Sequence, residues 1–373
     1  MTTDAIGLYV HIPFCVRKCN YCDFCSFPIS NVNSKDEYIS RLCDEIASYK
    51  DKNLALDSIF FGGGTPSLLE PSEFEKICSC ICETFNVMPE CEFTIEANPK
   101  TIDAKKLAAF KNCGVNRISI GLQSIHENEM KSLGRIHNFV DFLESYNLAR
   151  ACGIENINID LMYAIPGQTM DSFKTTLETV VGLSPEHISL YGLILEEGTP
   201  FYEWKDKLDL PGEDAECSMY DFATDFLRDR GYNHYEISNY AKSGFECKHN
   251  LKYWRCKEYI GVGLSAYSYF DGHRFGRGRD MNAYLLASDA EYEYNEKTDV
   301  TAMAYEYVML GIRLREGISL SEYKEKFGCD FLFGREDAIS NMIQGGYAAI
   351  DGDRLYLTER GFYISSYLLT ELI

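Results

Sequence analysis

Long apolar runs are absent: nothing in the 373 residues approaches the roughly 18 that a membrane-spanning helix needs. Membrane contact is therefore expected to be peripheral at most. Basic charge is scarce, since 36 Lys and Arg stand against 57 Asp and Glu, a formal net charge of −21. Such a surface repels phosphate backbones and argues against nucleic acid as a partner. Met1 to Gly7 contain Asp4 and lack the basic stretch of a secretory leader, so a cytoplasmic location is expected. No unit of roughly 20–50 residues repeats. Cysteine is plentiful without being dense: 15 in 373 residues, about 4%, falls short of the roughly 8–10% of a disulfide scaffold. What is present, 46% apolar and 25% charged residues, is ordinary globular composition.

Short β-rich runs alternate with helix-length amphipathic ones. Strands are predicted at 7–12, 58–61, 92–96, 117–122, 156–162 and 187–193, with helices at 36–49, 71–85, 104–112, 139–151 and 170–183. Strand–helix alternation implies parallel βαβ units, and six of them suit either a doubly wound sheet or an incomplete barrel. In both, chemistry sits where strands end and loops begin. Past about residue 240 the texture changes to aromatic, glycine and basic residues. From Ala302 onward three helices (305–314, 320–327 and 335–344), a hairpin around Asp351-Gly352-Asp353 and a final helix from Glu359 resemble a winged-helix module.

In a reducing compartment clustered cysteines are metal ligands or catalytic groups more often than disulfides. Cys43, Cys113, Cys152, Cys217 and Cys329 are scattered and read as buried free thiols. Cys78, Cys80 and Cys82 alternate along a helical run, a period that does not put all three on one face. Cys15, Cys19 and Cys22 differ: their C-x3-C-x2-C spacing follows directly on the first strand. Zinc sites use four ligands in paired arms, and no second arm is evident. Three thiolates in one tight loop suit three irons of a [4Fe–4S] cubane and leave the fourth open. An open iron can hold S-adenosylmethionine (SAM) by its amino and carboxylate groups. Cys25 then reads as an unligated neighbour, because a fourth thiolate would saturate the cluster.

Other strand ends can complete such a site. Gly62-Gly63-Gly64-Thr65-Pro66 follows the second strand without the Lys-Ser/Thr of a phosphate loop, so its backbone suits the methionine end of SAM. Glu96, Gln123 and Asp160 lie in or just past the third, fourth and fifth strands, and their carboxylates and amide could bind ribose hydroxyls, the ammonium or the sulfonium; Arg135 sits twelve residues past Gln123.

Tyr9–Cys15, the cysteine loop, Gly62–Pro66, Ile95–Pro99, Arg117–Ser124, Leu133–His137 and Asn158–Gln168 together resemble the radical SAM family of oxygen-independent coproporphyrinogen III oxidases. Asp23-Phe24 and His249-Asn250-Leu251-Lys252-Tyr253-Trp254 resemble its heme-chaperone branch, of which H-N-x-x-Y-W is the heme-binding signature. The oxidase carries a longer segment before its cluster loop and a further Cys where Phe24 stands here. The resemblance implies a partial (β/α)6 TIM-like radical SAM barrel with a smaller C-terminal winged-helix-like domain. The expected division is a barrel with cluster and SAM over 1–240, a heme-binding connection over 241–300 and the small domain over 301–373. It further implies cluster ligation by Cys15, Cys19 and Cys22, and SAM contact from Tyr9, Gly63, Gly64, Thr65, Glu96, Gln123, Arg135 and Asp160. The implied function is a heme chaperone serving an apo-haemoprotein, as monomer or homodimer, with no assigned catalytic residue. The alternative is oxidative decarboxylation of coproporphyrinogen III or another radical SAM reaction.

The heme segment has independent support. Residues 247–257 carry Lys248, Lys252, Arg255 and Lys257 and no acid, in a chain of charge −21. A porphyrin offers a flat apolar face, two propionates and an iron, which Tyr253 and Trp254, the basic residues and an imidazole or phenolate complement. His249 is the first-choice ligand and Tyr253 the second.

Overall fold

A computed structural model describes residues 5–31, 34–287 and 292–372. Six parallel strands lie side by side in chain order: β1 (Ile6–Ile12), β2 (Ala55–Gly63), β3 (Asn86–Ala97), β4 (Arg117–Gln123), β5 (Asn156–Tyr163) and β6 (His187–Gly192). Helices α1 (Lys35–Ala47), α2 (Pro71–Thr84), α3 (Ala104–Asn112), α4 (Phe139–Ala151) and α5 (Met170–Gly182) connect them, and α6 (Glu213–Arg228) follows β6. Strand order never reverses, which decides for an incomplete barrel over a doubly wound sheet. Every predicted strand is present; β2 and β3 run well past their expected ends.

The strands are covered on both faces, as parallel sheets must be. Leu8, Val10 and Ile12 of β1 share one apolar core with Tyr38 and Leu42 of α1 and Phe74 and Ile77 of α2. The alternate residues Gly7, Tyr9 and His11 face the barrel interior. Helix starts are set locally: reciprocal capping boxes open α2 at Glu70, α4 at Asn138 and α5 at Thr169, and Asp103 caps α3 through the Lys106 amide.

The sheet does not stop at six strands. It has twelve, in the order β12-β11-β10-β9-β1-β2-β3-β4-β5-β6-β8-β7, where β7 is Asn233–Glu236, β8 Asn239–Ala241, β9 Tyr259–Val262, β10 Tyr267–Phe270, β11 His273–Gly276 and β12 Tyr294–Lys297. β9 lies parallel to β1, and the remaining added strands are antiparallel. Between β8 and β9 sits helix α7 (Lys248–Trp254). The extension is bolted to α1 by Glu45, which is fully buried. Its carboxylate accepts from Arg277 at 2.8 Å, Tyr284 at 2.7 Å and the Gly263 amide at 3.0 Å.

At the C-terminal end, α8 (Val300–Gly311) begins five residues before its expected start, because Asp299 caps it through the Ala302 amide. Strand β13 (Ile318–Ser319), α9 (Leu320–Phe327), α10 (Glu336–Gln344) and the hairpin β14 (Ala348–Asp351) and β15 (Arg354–Leu357) follow. The expected last helix is two, α11 (Glu359–Tyr363) and α12 (Ser365–Leu372). Tyr307, Tyr323, Phe331, Ile339, Leu355 and Phe362 form a core of their own. The expectation of uniformly buried single thiols needs correction. Cys43 is buried and Cys113 and Cys152 are half-buried, whereas Cys217 and Cys329 are exposed, the former on the acidic first half of α6. Among the described residues, no helix is long and apolar enough to cross a membrane.

Candidate functional site

At the C-terminal ends of the strands a cavity of about 310 Å³ is lined by Cys15, Cys19 and Cys22 together with Gly63, Gly64, Thr65, Glu96, Gln123, Arg135 and Asp160. Ten of the residues singled out in the sequence thus meet at one mouth. The cysteine loop is held from both sides: the Asn20 amide donates to Leu133 O, its side chain donates to Ser132 O, and its carbonyl accepts from the Phe201 amide. Gly134, at φ +76°, has no room for a Cβ, which would lie 2.8 Å from Asn20. A chain of hydrogen bonds then crosses the mouth. Arg135 donates to Asn98 Oδ1 at 2.8 Å, Asn98 donates to Thr65 Oγ1 at 2.9 Å, and Thr65 lies 3.7 Å from Cys15 Sγ.

The glycine loop is close-packed for a reason beyond ligand access. A Cβ on Gly64 would meet Phe14 O at 2.6 Å, and one on Gly63, at φ +112°, would enter the His11 ring. Gly64 and Thr65 amides donate to Ile12 and Phe14 carbonyls, stitching this loop to the strand that feeds the cysteines. Gln123 holds φ +72° at a bulge in β4, an uncommon backbone state for a residue with a side chain, beside the same cavity.

Two carboxyls face the cavity. Asp160 accepts from Ser119 and Asn158, at 3.0 and 2.8 Å. Glu96 accepts from the Gly63 amide at 3.2 Å, but burial and the neighbouring Asp160 charge push its pKa up to about 8. A buried carboxyl poised this way complements a cation. Burial also pushes the Cys22 thiol up, to about 11, and the Cys15 thiol up. Among the described residues no three His, Cys, Asp or Glu converge on a single ion position. A cubane does not require convergence, since each thiolate takes a separate iron. The donor set therefore fits such a cluster: three thiols on one loop, with a cavity against them. Cys25 does not line that cavity; its Sγ lies 3.9 Å from Arg279 O.

Tyr9 and the heme segment are not at this mouth. The Tyr9 hydroxyl meets His11 Nδ1 at 3.1 Å, and its ring stacks inside the barrel with Phe60 and His249. His249 itself is at the opposite end, where α7 closes the barrel floor. The Glu92 carboxylate accepts the Lys248 and His249 amides at the helix start, a favourable pairing with the helix dipole. Ser58, Glu92, Arg117, Asn158 and His187, one from each of β2 to β6, form the rest of this buried polar floor. His249 is 1% exposed and both ring nitrogens are engaged, Nδ1 with Ser58 Oγ at 3.0 Å and Nε2 with Tyr253 Oη at 2.8 Å. Burial, with Lys252 and Arg117 nearby, pulls its pKa down to about 3, so the ring is neutral. Trp254 lies on the outer side, lining a hollow of about 260 Å³ against the C-terminal elements.

Several cavity residues were not foreseen. Tyr21, Asn98, Met162 and Tyr191 line the mouth as well, and His11, whose Nε2 meets Cys25 O at 2.8 Å, supports the loop from below. Asn98 and Met162 sit inside stretches whose neighbours were noticed, and strand-end position was the available signal.

The barrel, the cysteine loop and the cavity beside it define a radical SAM protein. In agreement, the radical SAM superfamily model matches residues 9–180 and the HemN C-terminal domain model matches 299–364. Among curated relatives, Heme chaperone HemW of Lactococcus lactis is 36% identical over 363 residues, covering 96% of this chain and 94% of its own. The Bacillus subtilis protein of the same name is 35% identical, with 95% of each chain covered, and that of Escherichia coli 33%, again with 95% of each. The chain belongs to the HemW family. A [4Fe–4S] cluster and SAM follow from membership of the radical SAM superfamily. The solved structure of Escherichia coli coproporphyrinogen III oxidase (HemN), described as a radical SAM enzyme, superposes with a TM-score of 0.87. It covers 99% of this chain and 90% of its own, and at 20% identity that likeness concerns the fold.

Proposed function

We propose that this chain is a heme chaperone, binding heme and delivering it to an apo-haemoprotein while carrying a [4Fe–4S] cluster and SAM. The reading rests on one observation above all: near-full-length relatedness to bacterial proteins named heme chaperones. Cys15, Cys19 and Cys22 hold the cluster in this proposal, and Gly63, Gly64, Thr65, Glu96, Gln123, Arg135 and Asp160 surround SAM. Bound there, SAM would bring a sulfonium cation to a site that carries the carboxyls of Glu96 and Asp160. Tyr9 acts from beneath, through His11.

Heme recognition is assigned to the outer side of α7. Lys248, Leu251, Lys252, Arg255 and Lys257 line an open hollow of about 330 Å³, and Arg255 and Lys257 are shared with the hollow lined by Trp254. Cationic groups beside an indole suit propionates beside a flat ring. Iron ligation by His249 requires α7 to swing open, because the ring is enclosed on the inner side of that helix and bonded to Ser58 and Tyr253. Anaerobic heme titration of the cluster-reconstituted protein, read by Soret absorbance, is expected to show saturable one-to-one binding. His249→Ala should weaken it roughly tenfold or more, about 1.4 kcal/mol, and Tyr253→Phe, which frees Nε2, should speed it. Transfer to apomyoglobin should follow, without carbon dioxide release from coproporphyrinogen III. Absence of saturable binding in the wild type overturns the proposal, whereas full binding by His249→Ala moves the ligand elsewhere.

The Glu96 carboxyl makes SAM binding pH-dependent. Its proton is held up to about pH 8 in the empty protein and must leave when a cation is bound. Affinity should therefore rise with pH between about 5 and 8, with proton release, and Glu96→Gln should flatten the profile. The sign for folding is opposite: an unfolded carboxyl ionises near 4.5, so the ligand-free fold loses stability as pH rises through the same window. Calorimetric SAM titrations in two buffers of different ionisation heat measure the released protons; none released would refute this role.

A further inference from the structure

Away from the cluster, α2, the start of β3 and the end of α3 enclose a cavity of about 140 Å³ lined by Cys78, Cys82, Cys91 and Cys113, with Met88 and Phe93 beside them. Cys78 and Cys82 are four apart on α2 and share a helix face, while Cys80 between them does not line the cavity. Cys78 is almost fully buried, whereas Cys113 is half-buried at the C-terminal cap of α3, followed by Gly114 at φ +100°. The Cys78 and Cys113 thiols line this one cavity.

We propose that Cys113 and Cys78 form a second redox site, in which hydrogen peroxide oxidises Cys113 and Cys78 resolves the product as an intramolecular disulfide. Burial orders the roles. Cys78 is almost fully enclosed, whereas Cys113 is half-buried at the helix end, so peroxide reaches Cys113 first; the neighbouring thiol pulls the Cys113 pKa down and pushes that of Cys78 up in the same sense. A half-exposed thiolate next to a resolving thiol is the arrangement of peroxide-reactive cysteines, and the cavity admits a molecule of that size. In the first step the Cys113 sulfur attacks peroxide: an S–O bond forms, the O–O bond breaks, and hydroxide leaves to become water. Sulfur is oxidised to sulfenic acid and peroxide is reduced. In the second, the Cys78 sulfur attacks the sulfenic sulfur, the S–O bond breaks, and hydroxide leaves with the Cys78 proton as a second water. Two thiols and one peroxide give one disulfide and two waters. The cross-link ties α2, which follows the glycine loop, to the end of α3, which leads into β4.

The test is peroxide titration of the cluster-reconstituted protein, followed by alkylation and tryptic mapping. Cys113 is alone in the peptide 112–117, and Cys78 lies in 77–100 with Cys80, Cys82 and Cys91. The expected product joins these two peptides, with fragmentation placing the bond on Cys78. It should form before the exposed Cys217 and Cys329 are oxidised. Cys78→Ser should stop at a Cys113 sulfenic acid captured by dimedone, and Cys113→Ser should leave Cys78 reduced. Oxidation of Cys113 no faster than of Cys217 and Cys329 overturns the proposal, as does a bond to Cys82 in place of Cys78. The wild-type mapping decides by itself should either variant fail to fold.

Discussion

Cys19→Ser abolishes the visible charge-transfer absorbance of the reconstituted protein and lowers bound iron from about four per chain to near zero. The expectation follows from the loop. Cys15, Cys19 and Cys22 line one cavity, the Asn20 backbone and side chain fix the loop to Leu133, Ser132 and Phe201, and a serine oxygen is a poor replacement for a thiolate on iron. Among the described residues three cysteines line the cavity, so losing one leaves two irons of the proposed cluster without a thiolate. Cys25→Ser is the paired control. Its Sγ is directed to Arg279 O outside the cavity, so iron content should be unchanged. Equal iron loss in both variants would place Cys25 among the ligands. Retention of four irons by Cys19→Ser would remove Cys19 from them.

The second large effect is on folding. Arg277→Met should cost about 3–5 kcal/mol, measured as a shift in denaturant midpoint, because it leaves the Glu45 carboxylate buried without its cation. Glu45 is fully enclosed, and Tyr284 and the Gly263 amide, which also donate to it, are neutral. The Glu45→Gln, Arg277→Met double variant should recover part of the loss, since a neutral amide replaces the charge. A change below about 1 kcal/mol in the single variant would mean water reaches Glu45. The same pair joins α1 to the loop and strands beyond β9, so the loss should fall on the antiparallel extension as much as on the barrel.

How much of this was readable beforehand differs by element. β1 to β6 were legible because buried parallel strands are short runs of β-branched and aromatic residues between helix-length segments. The antiparallel extension was not: β9, β10 and β11 are four residues each, and glycine, tyrosine and arginine in residues 259–277 carry no clean alternation. The cysteine loop was legible from its spacing at the end of the first strand, and its companions from strand ends together with the family resemblance. The position of Tyr9 was not, because period two says which face a residue takes but not how far along the barrel axis its ring lies. His249 shows the same limit more sharply. Composition marked residues 247–257 as basic and aromatic, but no helix was expected there, so the meeting of His249 and Tyr253 on one face of α7 was not legible. Their meeting inside the barrel, with Glu92 beneath the helix start, depends on β1, β2 and β3, far away in the chain.

The floor built by α7 makes the barrel a cul-de-sac. Among the described residues, the exposed side chains of Phe24, Tyr191 and Ile194 stand at the open end of the cavity beside Glu96 and Asp160. With SAM in the proposed site, a molecule or partner seated over those rim residues would cover it. Exchange of SAM should therefore stall while the mouth is covered and resume on release, a kinetic order imposed by architecture without any change in the affinity of either site.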